Sequence, residues 1–274
     1  MKWLKKNWTT ILLGLIFLTG VGLLVYPTFS DYWNSLHQSQ AIVNYVENIT
    51  NIDNEHYDVL WADAVAYNKD LSEKGINWLL SDEEKEAYNE YLKIDDTGVM
   101  AYIDIPIIEC SLPIYHGTDE AILQVAVGHI EGSSLPVGGA GSHCVMSGHR
   151  GLPSAKLFTD LDKLVEGDTF MIHTLDATLT YEVDQIRIVE PTDLSDLQIE
   201  EGKDYCTLVT CTPYGINTHR LLVRGHRITN EEEIEEIRVS ADATMKDPVQ
   251  VAPFFAAPML LLLVIWVFVS GRRR

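Results

Sequence analysis

Two long uncharged segments, one near each end of the 274-residue chain, constrain its fold more than any other feature. Residues 9–26 and 251–270 contain no Asp, Glu, Lys or Arg. Each is long enough to cross about 30 Å of hydrocarbon as a helix that rises about 1.5 Å per residue. Basic residues precede the first segment and follow the second, so the positive-inside rule places residues 1–8 and 271–274 in the cytoplasm. The pattern predicts two transmembrane helices, with residues 27–250 outside the membrane.

Each apolar segment also has a second interpretation. The first resembles a cleaved signal peptide, but no Ala-x-Ala-like site follows Tyr26, which favours an uncleaved anchor. The second, with its arginine cluster, matches the sorting tail of a wall-anchored protein. Such a tail should follow a Leu-Pro-x-Thr-Gly-like motif, and residues 230–252 contain none. Both observations favour two membrane spans.

The segment between the spans is strongly acidic. The chain has 20 Lys and Arg against 40 Asp and Glu, for a formal charge of -20. Six of the basic residues flank the spans, which leaves 14 between them with all 40 acidic residues. Such a surface repels phosphate backbones, so nucleic acid is excluded as a partner. A run of glutamates in residues 230–250 predicts a charged stalk before the second span.

The remaining outer segment changes its hydrophobic period once. Residues 27–97 have helical spacing, and Ser81 with Glu84 forms a capping box ahead of one helix. Residues 98–229 alternate with a period of two and are interrupted by Gly and Pro, which predicts a predominantly antiparallel β-barrel or sandwich. Two short helices are predicted within it, at residues 119–127 and 154–164.

A cysteine at the end of a predicted buried strand is the first candidate for chemistry. The apolar run from Tyr205 ends at Cys211, directly before a Thr-Pro-Tyr-Gly turn. A thiol there is held rigidly and meets solvent, whereas Cys206 lies on the opposite face of the strand. Cys110 and Cys144 lie in apolar contexts that indicate a structural role. The four cysteines allow three pairings into two disulfides, or free thiols.

A thiol nucleophile requires a base or a cation nearby. His149 lies between glycines after a predicted strand, which makes it loop-borne and accessible; an ordinary solvated histidine is the competing interpretation. His129 has a weaker case, and His173 is predicted to be structural. The strand after the Cys211 turn carries five basic side chains, which also suits a solvated face paired with carboxylates. Arg220 and Arg224 share one face of this strand, and Arg220 is the nearer of the two to the turn, whereas His219 points the other way.

Two long motifs in this region resemble the sortases, and specifically the pilus-assembling class C. They are Gly128–Pro153, which includes Ser-Gly-His-Arg-Gly-Leu-Pro, and Thr207–Gly225, which includes Thr-Leu-Val-Thr-Cys-Thr-Pro-Tyr-Gly. The resemblance implies a mostly β fold, an eight-stranded barrel with short helices over residues 98–229. It also implies that His149, Cys211 and Arg220 are the catalytic residues, with Thr210 and Thr212 supporting the substrate groove.

The function that the resemblance implies is that of a membrane-anchored cysteine transpeptidase on the surface of a Gram-positive bacterium. Such an enzyme cleaves an LPXTG-like sorting motif between Thr and Gly through a Cys211 thioester. It then transfers the acyl group to a lysine amine of a pilin, which polymerises the pilin subunits. No cofactor is expected, and no metal site, because the cysteines lack a Cys-x2-Cys pair. A housekeeping sortase that anchors surface proteins to peptidoglycan and a non-catalytic surface scaffold are the alternatives.

The region before the barrel departs from the class C pattern. These enzymes usually carry a lid with an Asp-Pro-aromatic motif that plugs the active site, and residues 27–97 contain no such triplet. Either Tyr67, Trp78 or a nearby Asp replaces the plug, or the site is open. We expect a lid-like segment at Asp63–Trp78 that does not plug the site.

Overall fold

The computed structural model describes residues 7–229. The predicted stalk, the second span and the C-terminal cytoplasmic tail lie outside the described residues. The described elements are the N-terminal helices and the barrel.

Helix α1 (Trp8–Asn51) is a single helix of 44 residues that contains the whole first predicted span. Within the described part of the chain it is the one helix long and apolar enough to cross a membrane. The helix does not end at Pro27, because tertiary contacts hold its second half against the barrel. The Asn34 side chain donates to the Ser154 carbonyl at 2.7 Å, and the buried Tyr45 hydroxyl donates to the Met100 carbonyl at 2.9 Å.

Helix α2 (Asn54–Lys74) is an integral part of the packed domain. The Asp53 side chain caps its N-terminus by accepting from the His56 amide, and Gly75 ends it with a φ of +84°. The Asn68 side chain accepts from the Leu135 amide at 2.7 Å and donates to the Leu135 carbonyl at 3.0 Å. The face that packs on the barrel consists of Leu60, Ala64, Asn68 and Leu71. The lid-like segment expected at Asp63–Trp78 thus begins inside helix α2, which packs on the barrel through Ala64, Asn68 and Leu71.

Helix α3 (Asp82–Tyr88) begins with the predicted capping box. The Glu84 amide donates to the Ser81 hydroxyl at 3.2 Å, and the Ser81 amide donates to the Glu84 carboxylate at 2.7 Å. At its other end the Tyr88 hydroxyl is buried and lies 2.8 Å from Nδ1 of His129. His129 is fully buried, so its role is structural.

Eight strands close into a barrel, as predicted. The strands are β1 (Val99–Ile105), β2 (Cys110–His116), β3 (Val127–His129), β4 (Ser142–Ser147), β5 (Thr169–Thr174), β6 (Ala177–Val189), β7 (Asp204–Thr212) and β8 (His219–Arg227). Their order around the barrel is β1-β2-β3-β4-β7-β8-β6-β5. Strands β2 and β3 pair in parallel, as do β4 and β7, and the other neighbours are antiparallel. The short helices are briefer than predicted: α4 (Glu120–Leu123) and a 3-10 turn at Leu161–Lys163.

Strand β7 separates the barrel core from an outer apolar face. Cys206 and Leu208 are completely buried and belong to the interior cluster that also contains Ile103, Phe170 and Val223. Cys206 pairs in register with Cys144 on β4, and all four cysteines are free thiols. Alternation along the strand places Val209 and Cys211 on the outside of the barrel.

Candidate active site

Cys211 and Arg220 are direct partners across the antiparallel pair of β7 and β8. Partners in such a ladder have Cα atoms about 4.5–5.5 Å apart and project their side chains to the same face. The turn between the strands is closed by hydrogen bonds from the Ile216 and Asn217 amides to the Pro213 carbonyl, at 3.0 and 2.9 Å. The thiol and the guanidinium therefore share one rim of the barrel.

His149 follows strand β4 and reaches the same rim of the barrel. Strand β4 runs parallel to β7 with Ser147 opposite Val209. The contact continues past the strand end, because the Gly148 amide donates to the Val209 carbonyl at 3.1 Å and the Thr210 hydroxyl donates to the Gly148 carbonyl at 2.7 Å. Extending this register by one residue from Gly148 and Thr210 places the backbone of His149 next to that of Cys211. The structure thus brings together the three residues that the sequence motifs indicated.

The backbone that carries His149 is tightly packed. A Cβ at Gly148 would lie 2.6 Å from Cδ2 of Phe158, so a side chain there would displace the Phe158 ring. The Phe158 amide in turn donates to the His149 carbonyl at 3.1 Å. On the other side, Arg150 donates to the Thr212 hydroxyl at 3.4 Å and pairs with Asp162. Thr212, like Thr210, therefore braces the histidine segment against β7.

The basic side chains of β8 divide into two groups. Arg224 donates to both carboxylate oxygens of Asp184, at 2.9 and 3.1 Å, and lies 4.1 Å above the Tyr205 ring. His219 faces Glu190 at 3.4 Å. Arg220 contacts only the carbonyls of Asn217 and His219, at 3.3 and 3.1 Å, and has no carboxylate partner among residues 7–229. Pairing with carboxylates thus explains Arg224, whereas the Arg220 guanidinium keeps donors free for another ligand.

Accessibility distinguishes Cys211 from Cys144 and Cys206, and its neighbouring side chains distinguish it from the partly buried Cys110. Cys144 and Cys206 are buried, and desolvation raises the pKa of Cys206 well above its usual value. Burial also raises the pKa of Cys110 to about 12. Cys211 is only partly buried, at the exposed end of its strand. Of the four thiols it alone combines access with a neighbouring guanidinium and imidazole.

An apolar cluster on the outer face leads to this rim, and Trp78 lies on it. The groove cluster consists of Val145, Leu197, Val209 and Leu222, with Trp78, Ile130 and Val189 packed against them. Val209 and Leu222 are cross-strand partners, each two residues from Cys211 and Arg220 respectively. The chain before Trp78 approaches the barrel closely, because a Cβ at Gly132 would lie 1.9 Å from the Asn77 carbonyl oxygen.

Trp78 is thus the member of the expected lid that covers the outer face, whereas Tyr67 packs on Tyr91 with ring centroids 5.0 Å apart. The sequence contained a signal for the groove cluster. Outward positions of β4, β7 and β8 carry Val and Leu where a solvated face would be polar.

A carboxylate beside His149 was not among the sequence candidates. Oε2 of Glu120, the first residue of α4, lies 3.8 Å from Nε2 of His149. The other oxygen, Oε1, accepts from the Gln124 side chain at 2.5 Å. No local pattern marks Glu120, since α4 meets the β4 end only through the barrel closure.

Comparison with known proteins agrees with this geometry. A Sortase domain model matches residues 103–228. Sortase D of Bacillus subtilis is 32% identical over 148 residues, which cover 53% of this chain and 72% of that protein.

Solved structures cover more of the chain. Sortase C1 of Streptococcus agalactiae has a TM-score of 0.69 and 55% identity over 70% of this chain and all of that chain. Clostridium perfringens sortase C, solved with the C-terminal cell wall sorting motif, has a TM-score of 0.62 and 46% identity over 70% of this chain and 99% of that chain. The chain therefore belongs to the sortase family of cysteine transpeptidases, and within it is similar to class C enzymes.

Proposed function

We propose that this protein cleaves an LPXTG-like motif between Thr and Gly through a Cys211 thioester and transfers the acyl group to a lysine amine of a pilin subunit. The observation that carries the proposal is the meeting of three strand ends, with Cys211 paired to Arg220 and the His149 segment hydrogen-bonded to the same strand. Helix α1 suits membrane anchoring at the cell surface, where sortases act.

Acylation begins with attack of the Cys211 thiolate on the Thr carbonyl of the motif. The attack forms a tetrahedral oxyanion, which collapses to a thioester and divides one difficult acyl transfer into two easier steps. Arg220 is charged at every relevant pH and offers a planar fork of donors that carboxylates leave free. It is therefore suited to stabilise the oxyanion or to hold the substrate backbone.

His149 is assigned both proton transfers. As an imidazolium it protonates the departing glycine amine, and as a neutral imidazole it accepts a proton from the incoming amine. Thr210 and Thr212 keep its backbone against β7, which preserves the geometry through both steps.

The lysine acceptor is the more specific part of the proposal. The chain resembles class C enzymes, and a similar structure, that of Streptococcus pneumoniae sortase C, is described as informing on pilin substrate specificity. The acidic outer segment, with 14 basic against 40 acidic residues, attracts cationic protein surfaces. Both observations support an amine acceptor carried on a protein.

The test uses the full-length protein in detergent with a Leu-Pro-x-Thr-Gly donor peptide. Two acceptors compete, a pilin peptide with one internal lysine and a peptidoglycan stem peptide with a free amine. We expect an isopeptide product with the lysine peptide, identified by mass spectrometry. Transfer to the stem peptide alone would instead support the housekeeping function, and the absence of an acyl-enzyme would support the non-catalytic scaffold.

We also propose the membrane organisation of the whole chain. Residues 9–26 and 251–270 would span the membrane, residues 27–97 and 98–229 would form the outer helical region and catalytic barrel, and residues 230–250 a stalk. An epitope at the C-terminus should be detected only after the cells are permeabilised. Detection on intact cells would contradict the second span.

The sequence predicted a lid-like segment that leaves the site open, but the packing of Trp78 on the groove cluster leads us to propose that this side chain restricts access to it. Its side chain covers the apolar face that leads to Cys211, so a substrate has to displace it. Trp78→Ala should raise kcat/KM for cleavage of a sorting peptide about tenfold. A tenfold change corresponds to about 1.4 kcal/mol, which is the free energy expected from partial burial of a large aromatic side chain. Fluorogenic peptide cleavage measures the rate.

The neighbouring Leu79 offers a matched control, because its side chain is 89% exposed. Leu79→Ala should leave kcat/KM within about twofold of the wild type. An unchanged rate in Trp78→Ala, with an unchanged melting temperature, would show that Trp78 does not compete with substrate.

A further inference from the structure

Glu120 is an exposed carboxylate at the entrance to the proposed catalytic centre. Its Oε2 lies 3.8 Å from Nε2 of His149, and its side chain is 75% exposed, against 27% for the histidine. The carboxylate is therefore open to an arriving ligand on the side away from the imidazole. Within residues 7–229, no lysine or arginine lies within ion-pair distance of it.

Local contacts hold this carboxylate in place. Gln124, one helical turn later, donates to Oε1 of Glu120 at 2.5 Å. The residue after Gln124 is tied to helix α1, because the Gln38 side chain donates to the Val125 carbonyl at 2.7 Å. One oxygen of Glu120 is thus occupied by an orienting contact, and the other is presented beside His149.

The α4 segment also borders a separate acidic cavity. This cavity of about 510 Å³ is lined on one side by Ala121, Ile122 and Val125 of the α4 segment. Its other side includes Glu90, Asp95 and Asp96, and the one lysine or arginine that lines it, Lys93, is paired to Glu90 at 2.8 Å. A segment that approaches His149 from this side meets apolar contacts and uncompensated negative charge. The apolar and acidic lining of this cavity suits a basic polypeptide.

We infer that Glu120 recognises the ammonium group of the acceptor lysine and positions it beside His149. The inference rests on the proposed transpeptidase function and deepens it. A lysine side chain is protonated at neutral pH, so it arrives as a cation and has to lose a proton before it can attack. A carboxylate 3.8 Å from the proton acceptor draws the ammonium to the place where that proton leaves.

The transfer step balances without any further reactant. The ammonium gives one proton to neutral His149, and the free amine attacks the thioester carbonyl. Attack forms the C–N bond of a tetrahedral intermediate, and its collapse breaks the C–S bond. The second amine proton passes to the departing sulfur of Cys211. The products are an isopeptide, the Cys211 thiol and a His149 imidazolium, and Glu120 neither gains nor loses a proton.

A purely orienting role for Glu120 predicts a different result. If the carboxylate only aligned the imidazole, its loss would slow acylation, hydrolysis and aminolysis together. Recognition of the ammonium affects aminolysis by a charged acceptor and leaves the other reactions of the same thioester comparatively unchanged. The ratio of aminolysis to hydrolysis separates the two roles, because both reactions consume one intermediate.

The experiment measures that ratio for Glu120→Gln in the full-length protein in detergent. The donor is a sorting-motif peptide, and the acceptors are a lysine peptide and hydroxylamine, which is mostly uncharged at neutral pH. We expect the ratio of lysine transfer to hydrolysis to fall about fivefold, through a raised KM for the acceptor, as for one exposed ionic contact. The ratio for hydroxylamine should stay within about twofold, and Glu120→Asp should restore part of the lysine ratio.

Glu166→Gln provides a control that removes the same charge from an exposed site just before β5. It should leave both ratios unchanged, which excludes a general effect of net charge. Equal losses with lysine and hydroxylamine, or an unchanged lysine ratio, would overturn the role of Glu120 while transfer by the wild type still supports the proposed function. Failure of the wild type to transfer to lysine would overturn both.

Discussion

Cys211→Ala is expected to form no covalent adduct with a sorting-motif peptide and to lose transfer activity completely. The thioester requires the sulfur, and no other accessible thiol lies beside Arg220. Because Cys211 is at the rim and makes few core contacts, alanine there should leave the fold intact. Intact mass spectrometry of the full-length protein after incubation with the peptide measures the adduct, and circular dichroism checks the fold.

A matched variant removes a different thiol. Cys110→Ala should still form the adduct, since burial holds that thiol protonated with a pKa of about 12. Peptide mapping of the wild-type adduct should place the added mass on Cys211. An adduct that survives in Cys211→Ala would contradict the mechanism.

His149→Ala is expected to lower kcat/KM by about 10²- to 10⁴-fold, the usual contribution of a positioned acid or base. The loss should apply to both acylation and aminolysis, because the same imidazole serves the departing and the incoming amine. A stopped-flow measurement of thioester formation, followed by addition of the lysine peptide, resolves the two steps.

His219 offers the control for this substitution. It lies on β8 next to Arg220 but faces Glu190 at 3.4 Å. His219→Ala should change kcat/KM by less than about threefold. If His149→Ala keeps more than a tenth of the activity, another group carries the proton and the assignment fails.

Local patterns were sufficient to predict the barrel strands that form the site. The near-continuous apolar run before Cys211 predicted a strand buried on both faces, and the structure shows the barrel core on one side and the groove cluster on the other. Alternation along β8 likewise placed Arg220 on the face of Cys211 and His219 away from it. These features depend on a period of two and a short turn, which adjacent residues specify.

The helical region was predicted less well. The helical spacing after Tyr26 did not reveal that Ala64 and Asn68 are buried and hold helix α2 on the barrel. Helix α1 continues through Pro27, and Asn34 and Tyr45 in its second half contact the distant residues Ser154 and Met100. Such contacts join residues more than 50 positions apart, and no local propensity encodes them.

Composition and motifs alone predicted an acidic protein with an apolar N-terminal helix, a mostly β barrel and a cysteine at the end of a buried strand. These properties follow from charge, hydrophobic period and turn residues, all of which act over a few neighbouring positions. The placement of Trp78 on the groove cluster, the bracing of His149 by Thr210 and Thr212, and the approach of Glu120 came from the closed barrel. Closure of the barrel places β4 beside β7 as a parallel neighbour. Parallel neighbours are joined by long connections, so the order of strands in the sequence does not reveal which strands pair.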